Sequence, residues 1–98
     1  MAIIIDPEGK EIEALRQVAE WSGARVLEAG CGDGRLTLRL TRLGAQVTAF
    51  DTDRTLVRAA RLNLPKRFAA QVKYYAGSAE KLKHPAESFD LVVFAWSL

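Results

Sequence analysis

Apolar residues recur with two alternating periods along this chain, and each change of period marks an element. Asp6-Pro7 reads as a helix start, a capping carboxylate followed by proline at the first helical position. Ile12, Leu15 and Ala19 then share one helical face, with Gly23 as the stop. Arg25–Ala29 reads as a short strand and residues 30–34 as a glycine-rich turn. Leu36, Leu40 and Leu43 mark an amphipathic helix closed by Gly44. Gln46–Phe50 is a second strand, and Asp53 or Thr52 caps a third helix running to about Asn63. Leu64-Pro65 ends that helix, because a residue before proline disfavours the helical region. Val72–Ala76 is a third strand, residues 77–88 are mostly connection, and Phe89–Ala95 is a fourth strand. The continuous apolar run of that last strand predicts burial on both faces. Strands alternating with helices specify an α/β fold with a parallel sheet.

Length and composition narrow the class. The 98 residues allow one domain, read as a helical lead-in over residues 1–24 and a βαβ core over 25–98. With 49% apolar and 27% charged residues the chain is ordinary globular material, not a disordered one. Its net charge of +2 argues for neither nucleic acid nor a membrane surface as partner. One cysteine makes no internal disulfide, which predicts a reduced, cytoplasmic setting. No apolar run is long enough to span a bilayer, and the start, Met1 to Asp6, does not read as a signal peptide.

The chemistry concentrates in Gly30-Cys31-Gly32-Asp33-Gly34, placed between a strand and a helix. Glycines there let a ligand approach the backbone closely, and a helix start offers free N–H groups. The spacing is G-x-G-x-G and residue 35 is Arg, which departs from the dinucleotide fingerprint; the Lys-Ser/Thr of a phosphate-binding loop is also absent. Asp51 ends the second strand, where a carboxylate can accept both hydroxyls of a ribose. Parallel pairing brings Glu28, Gly30 and Asp51 to one edge of the sheet.

Val26 to Gly34 resembles motif I of the class I S-adenosylmethionine-dependent methyltransferases, and Val47 to Asp51 resembles the segment that follows it. Gly77-Ser78-Ala79-Glu80 and Ser88 to Val93 are similar to the adenine loop and fourth strand of the type 11-like branch. The resemblance implies a Rossmann-like methyltransferase fold with a sheet of order 3-2-1-4-5-7-6, here truncated after strand 4 to a parallel 3-2-1-4. It implies S-adenosylmethionine as cofactor. Glu28 and the Gly30, Cys31 and Gly32 backbone, in a turn completed by Gly34, would hold its methionine end. Asp51 would bind the ribose. Ser78 would face the adenine amino group, where the family usually has Asp, and Ala79 would meet the ring.

Other residues have plainer readings. Cys31 is a small residue between glycines, His84 a solvated loop histidine, and Trp21 and Trp96 packing residues. Arg35, Arg39 and Arg42 read as a solvated helix face. No catalytic base and no metal site is assigned. Ala95-Trp96-Ser97-Leu98 stands where methyltransferases of nucleic-acid amino groups carry Asn/Asp-Pro-Pro-Tyr, so the expected acceptor is a small molecule. The alternatives are a binding module without catalysis and a self-associating interaction domain. Strand 4 is expected at the sheet edge, unprotected by Lys or Pro, and therefore to pair with a second copy as a homodimer. Ile3-Ile4-Ile5 is expected to cover part of that surface.

Overall fold

The computed structural model describes residues 2–5, 20–77 and 89–95. In chain order the elements are β1 (Ala2–Ile5), β2 (Arg25–Ala29), α1 (Arg35–Arg42), β3 (Gln46–Asp51), α2 (Arg54–Asn63), a single 3₁₀ turn (Lys66–Phe68), β4 (Val72–Ala76) and β5 (Leu91–Ala95). The strands form one parallel sheet in the order β1-β5-β2-β3-β4. Numbered as in the sequence reading, β4-β3-β2-β5 is the expected 3-2-1-4.

Local chemistry sets the boundaries. Asp53 caps α2: its Oδ1 accepts from the N–H groups of Thr55 and Leu56, at 2.9 and 3.2 Å. Thr52 plays no such part. Leu64, in the extended region before Pro65, stops α2. Gly44, at φ 98°, turns the chain after α1 and places Ala45 for the return into β3.

From β2 to β3 to β4 the chain steps across the sheet in one direction, and right-handed crossovers put α1 and α2 on the same face. Leu36 and Leu40 of α1 and Val57 and Ala60 of α2 pack there against Val26, Val47, Ala49, Val72 and Val93, all buried. Trp21 closes the lower end of this core, as its packing role predicts.

Two expectations need correction. Strand 4, here β5, is not at an edge. β1 lies alongside it in parallel register, Ala2 opposite Val92 and Ile5 opposite Ala95, while Val26 to Ala29 hold its other side. The Ile3–Ile5 segment covers this edge by strand pairing, so the unsatisfied ladder that was to bind a second copy is occupied within the chain. β5 is also not buried on both faces: Leu91 and Val93 are buried, but Phe94 is 46% exposed. Among the described residues the helical layer covers one face and no helix packs on the other. The 3₁₀ turn at Lys66–Phe68 was not expected. The predicted helix start at Asp6, its Ile12, Leu15 and Ala19 face, and residues Ser78, Ala79, His84 and Trp96 lie outside the described residues.

Candidate functional site

The carboxyl ends of β2, β3 and β4 meet at one edge of the sheet. Phe50 fixes the glycine turn there, its carbonyl accepting from Gly30 N–H at 2.9 Å and Cys31 N–H at 3.0 Å. Asp51 holds the next link: its Oδ2 accepts from Gly32 N–H and its Oδ1 from Asp53 N–H, both at 2.9 Å. The Asp51 carbonyl accepts from Gly77 N–H at 2.8 Å, so the chain leaves β4 beside the same residue. The candidate carboxylate is therefore the organiser of its own surroundings. It ties together the turn after β2, the start of α2 and the exit from β4.

The glycines of the turn do different work. Gly32, at φ 54°, has nothing within 4 Å of the position a Cβ would take, so the turn is open in front of it. Gly34, at φ 90°, is buried as the N-cap of α1; a Cβ there would lie 2.6 Å from the Tyr74 hydroxyl and 3.1 Å from Ala60 Cβ. Gly34 thus serves the packing of α1 against β4 and α2, behind the open side of the turn. The N–H groups of Gly30, Cys31 and Gly32 are all used inside the chain, which leaves the carbonyls as the turn's means of holding a cationic group.

Glu28 sits beneath the turn, wholly buried. Its Oε1 accepts from the Thr37 hydroxyl of α1 at 2.5 Å. Its Oε2 has no hydrogen-bond partner among the described residues. Burial pushes the Glu28 carboxyl up to about 7; the Thr37 hydrogen bond opposes that shift, and the charge of Asp51 adds to it. Burial likewise pushes the Cys31 thiol up to about 12, helped by the Glu28 and Asp51 charges. A thiol held protonated is no nucleophile, in agreement with the plain reading of Cys31. Thr37 and Tyr74 escaped the sequence reading. The pair Thr37 and Thr41, spaced by four beside the leucine stripe of α1, was the available signal: both are buried, and the Thr41 hydroxyl donates to the Thr37 carbonyl at 2.8 Å.

The opposite edge of the sheet is differently furnished. Arg25 pairs with Asp90 across β2 and β5, Nη2 to Oδ1 at 3.1 Å, on an exposed surface. That hydrogen bond holds the Asp90 carboxyl below its ordinary range and the Arg25 guanidinium above its own. A shallow cleft of about 230 Å³ lies beside it, with Gln46, Gln71 and Lys73 on its walls. None of the sequence candidates faces it. Among the described residues no three of His, Cys, Asp and Glu converge as metal ligands.

Comparison with known proteins gives this geometry a family. A profile described as "Methyltransferase domain" matches residues 26–98. The chain is 49% identical over 82 residues to a ubiquinone biosynthesis O-methyltransferase of Xanthomonas axonopodis pv. citri, a match covering 83% of this chain and 34% of that enzyme. An S-adenosylmethionine-dependent methyltransferase from Mesorhizobium loti superposes with a TM-score of 0.72 at 29% identity, over 87% of this chain and 38% of that one. Magnesium protoporphyrin IX methyltransferase from Synechocystis PCC 6803, solved with bound S-adenosylmethionine, superposes with a TM-score of 0.70 at 25% identity, over 85% of this chain and 39% of that one. The chain spans about a third of the length of the curated relatives it matches. Its sheet order, its glycine turn and these matches agree: the chain belongs to the class I S-adenosylmethionine-dependent methyltransferases.

Proposed function

We propose that this chain supplies the cofactor-binding half of an S-adenosylmethionine-dependent methyltransferase that acts on a small-molecule acceptor. The observation that carries the reading is Asp51 at the mouth of the glycine turn. Each of its carboxylate oxygens already accepts one backbone N–H, from Gly32 and Asp53. A carboxylate has about four lone-pair positions, so one on each oxygen is left for the two hydroxyls of a ribose. The rest of the turn fits the same ligand. Gly32 is open to close approach. Behind it Glu28 carries a buried oxygen without a partner among the described residues, a demand that the cofactor's ammonium or a bridging water would meet. Ser78 and Ala79, outside the described residues, keep the adenine-contacting role that the resemblance implies, in a segment that starts from Gly77 beside Asp51.

When bound, the cofactor supplies a methyl group already activated on a sulfonium. What is left to the protein is binding, orientation and exclusion of water. In this chain Asp51 and Gly32 fix the adenosyl end, and Glu28 with the turn carbonyls fixes the methionine end. The O-methyltransferase name of the 49% identical relative supports a hydroxyl on a small molecule as the acceptor.

Calorimetry with S-adenosylhomocysteine tests this reading. Asp51→Ala removes charge-assisted bonds to two hydroxyls and should weaken binding by roughly 1.5–3 kcal/mol. Asp51→Asn removes the charge but keeps one oxygen acceptor, for either the Gly32 or the Asp53 N–H, and so disturbs the turn less than Ala does. Equal affinity for wild type and Asp51→Ala rules the assignment out.

A further inference from the structure

Two side chains of α1 depart from the apolar pattern of their positions. The helix buries Leu36, Thr37, Leu40 and Thr41 against the sheet, so half of its inner stripe carries hydroxyls. A buried hydroxyl costs free energy unless it is hydrogen-bonded, a demand that valine in the same space would not make. Thr41 spends its hydroxyl within the helix, on the Thr37 carbonyl at 2.8 Å. Thr37 does not. It is 0% exposed, and its hydroxyl crosses from the helix to β2, donating to Glu28 Oε1 at 2.5 Å.

Glu28 needs a donor there. In register it stands opposite Ala49 of β3 and Val93 of β5, so its strand neighbours offer it only apolar side chains. Thr37 meets the need of one oxygen, and the other has no partner among the described residues. The ionisable groups that interact with Glu28 are Asp51 at the end of β3, Cys31 in the turn and Tyr74 of β4. Burial holds the Cys31 thiol and the Tyr74 hydroxyl up to about 12, so both keep their protons through the neutral range. The Asp51 charge opposes a second negative charge beside it, and burial opposes it more, so Glu28 changes charge at about 7. The Thr37 hydroxyl works the other way, since a donor favours the ionised carboxylate.

We propose that Thr37 is a positioning residue for the cofactor's ammonium group: its hydroxyl pins one oxygen of Glu28 and leaves the other, as a carboxylate, to the ligand. Thr37 touches no ligand atom itself. Glu28 cannot turn away without giving up the bond to Thr37, and with that bond it loses its proton at a lower pH than it would alone. Only the ionised form attracts an ammonium. Affinity for the amino-acid end of the cofactor therefore rises with pH through about 7, and removing the Thr37 hydroxyl moves that rise to higher pH. This role rests on the cofactor reading of the glycine turn, but the two fail differently, because Asp51 holds the adenosyl end without help from Thr37.

Calorimetry of the whole chain with two probes tests the proposal: S-adenosylhomocysteine, and methylthioadenosine, which has the adenosyl end without the amino acid. Wild type should bind the first about tenfold more tightly at about pH 8 than at about pH 6, and the second equally at both. Thr37→Val should move the rise up by about one pH unit, which lowers affinity for S-adenosylhomocysteine at neutral pH about fivefold. It should leave methylthioadenosine binding as it was, which also shows that the fold and the adenosyl site are kept. Thr37→Ser, which keeps the hydroxyl, should restore the wild-type profile, and Glu28→Gln should flatten it. A Thr37→Val profile that superposes on wild type overturns the proposal, as does an equal loss of both probes, the mark of a merely structural residue. Wild type decides even where the valine variant fails to fold, since a flat profile for S-adenosylhomocysteine overturns the proposal by itself. Binding of neither probe to wild type, or indifference to Asp51→Ala, overturns the cofactor reading and this role with it.

Discussion

Glu28 is the residue whose setting the sequence describes least fully. Motif position marks it as an acid of the cofactor site; the fold adds that it is buried beneath the turn, with one oxygen on Thr37 and the other without a partner among the described residues. Position along a strand is legible in a sequence; depth beneath a turn is not, because it depends on how closely α1 packs. The burial has a consequence for stability. The carboxyl ionises at about 7 in the folded chain, against an ordinary 4.5. Between those values the unfolded chain has lost a proton that the folded chain keeps. Stability therefore falls as pH rises from about 4.5 through about 7 and is flat above, with a total of roughly 3 kcal/mol at stake. Glu28→Gln holds the Thr37 hydrogen bond without the charge. Thermal melts should show a falling midpoint for wild type between pH 5 and about pH 8 and a smaller slope for the variant. An equal slope in both would mean that Glu28 does not titrate in this range.

Elements were legible where a cap or a period marks them. α2 begins at the residue after Asp53 and ends at Asn63, both as the capping and proline rules require. β1 was not identified as a strand, since three isoleucines carry no period and acquire strand geometry only by pairing with β5. Consecutive placement in the sheet is the usual guide, and β1 violates it by lying beside the last strand instead of the next one. Its pairing predicts that a chain lacking residues 1–5 exposes the β5 edge and sediments as a larger species, while the whole chain does not associate through that edge. The contact between α1 and β4 is equally open to test. Gly34→Ala meets a positive φ and a Tyr74 hydroxyl at 2.6 Å, and should cost about 2–4 kcal/mol in unfolding free energy. Tyr74→Phe in the same chain should restore part of that loss by removing the oxygen, but not the part due to φ. Full restoration would assign the whole cost to the clash, and none would assign it to the backbone.

At the scale of the molecule the sheet order was legible through the family resemblance, and the siting of the glycine turn through parallel pairing and the position of Asp51 at a strand end. The charge distribution was not. A net charge of +2 averages a basic helical layer with an acidic remainder, and the solvated reading of Arg35, Arg39 and Arg42 treated one helix at a time. The fold also separates the two ends of the sheet. The carboxyl edge has Asp51, Gly32 and Glu28 around an open turn, and the amino edge has the Arg25–Asp90 pair beside a shallow cleft.

Which edge holds the cofactor is the most direct question to put to the protein. Backbone amide shifts of an isotope-labelled chain, followed by NMR during titration with S-adenosylhomocysteine, answer it residue by residue. The account predicts saturable changes at Gly30, Cys31, Gly32, Asp53 and Gly77, whose N–H groups surround or touch Asp51 and the turn. It predicts none at Gln46, Gln71 or Lys73 on the amino edge. Changes confined to the amino edge, or no saturable change anywhere at millimolar ligand, would contradict it.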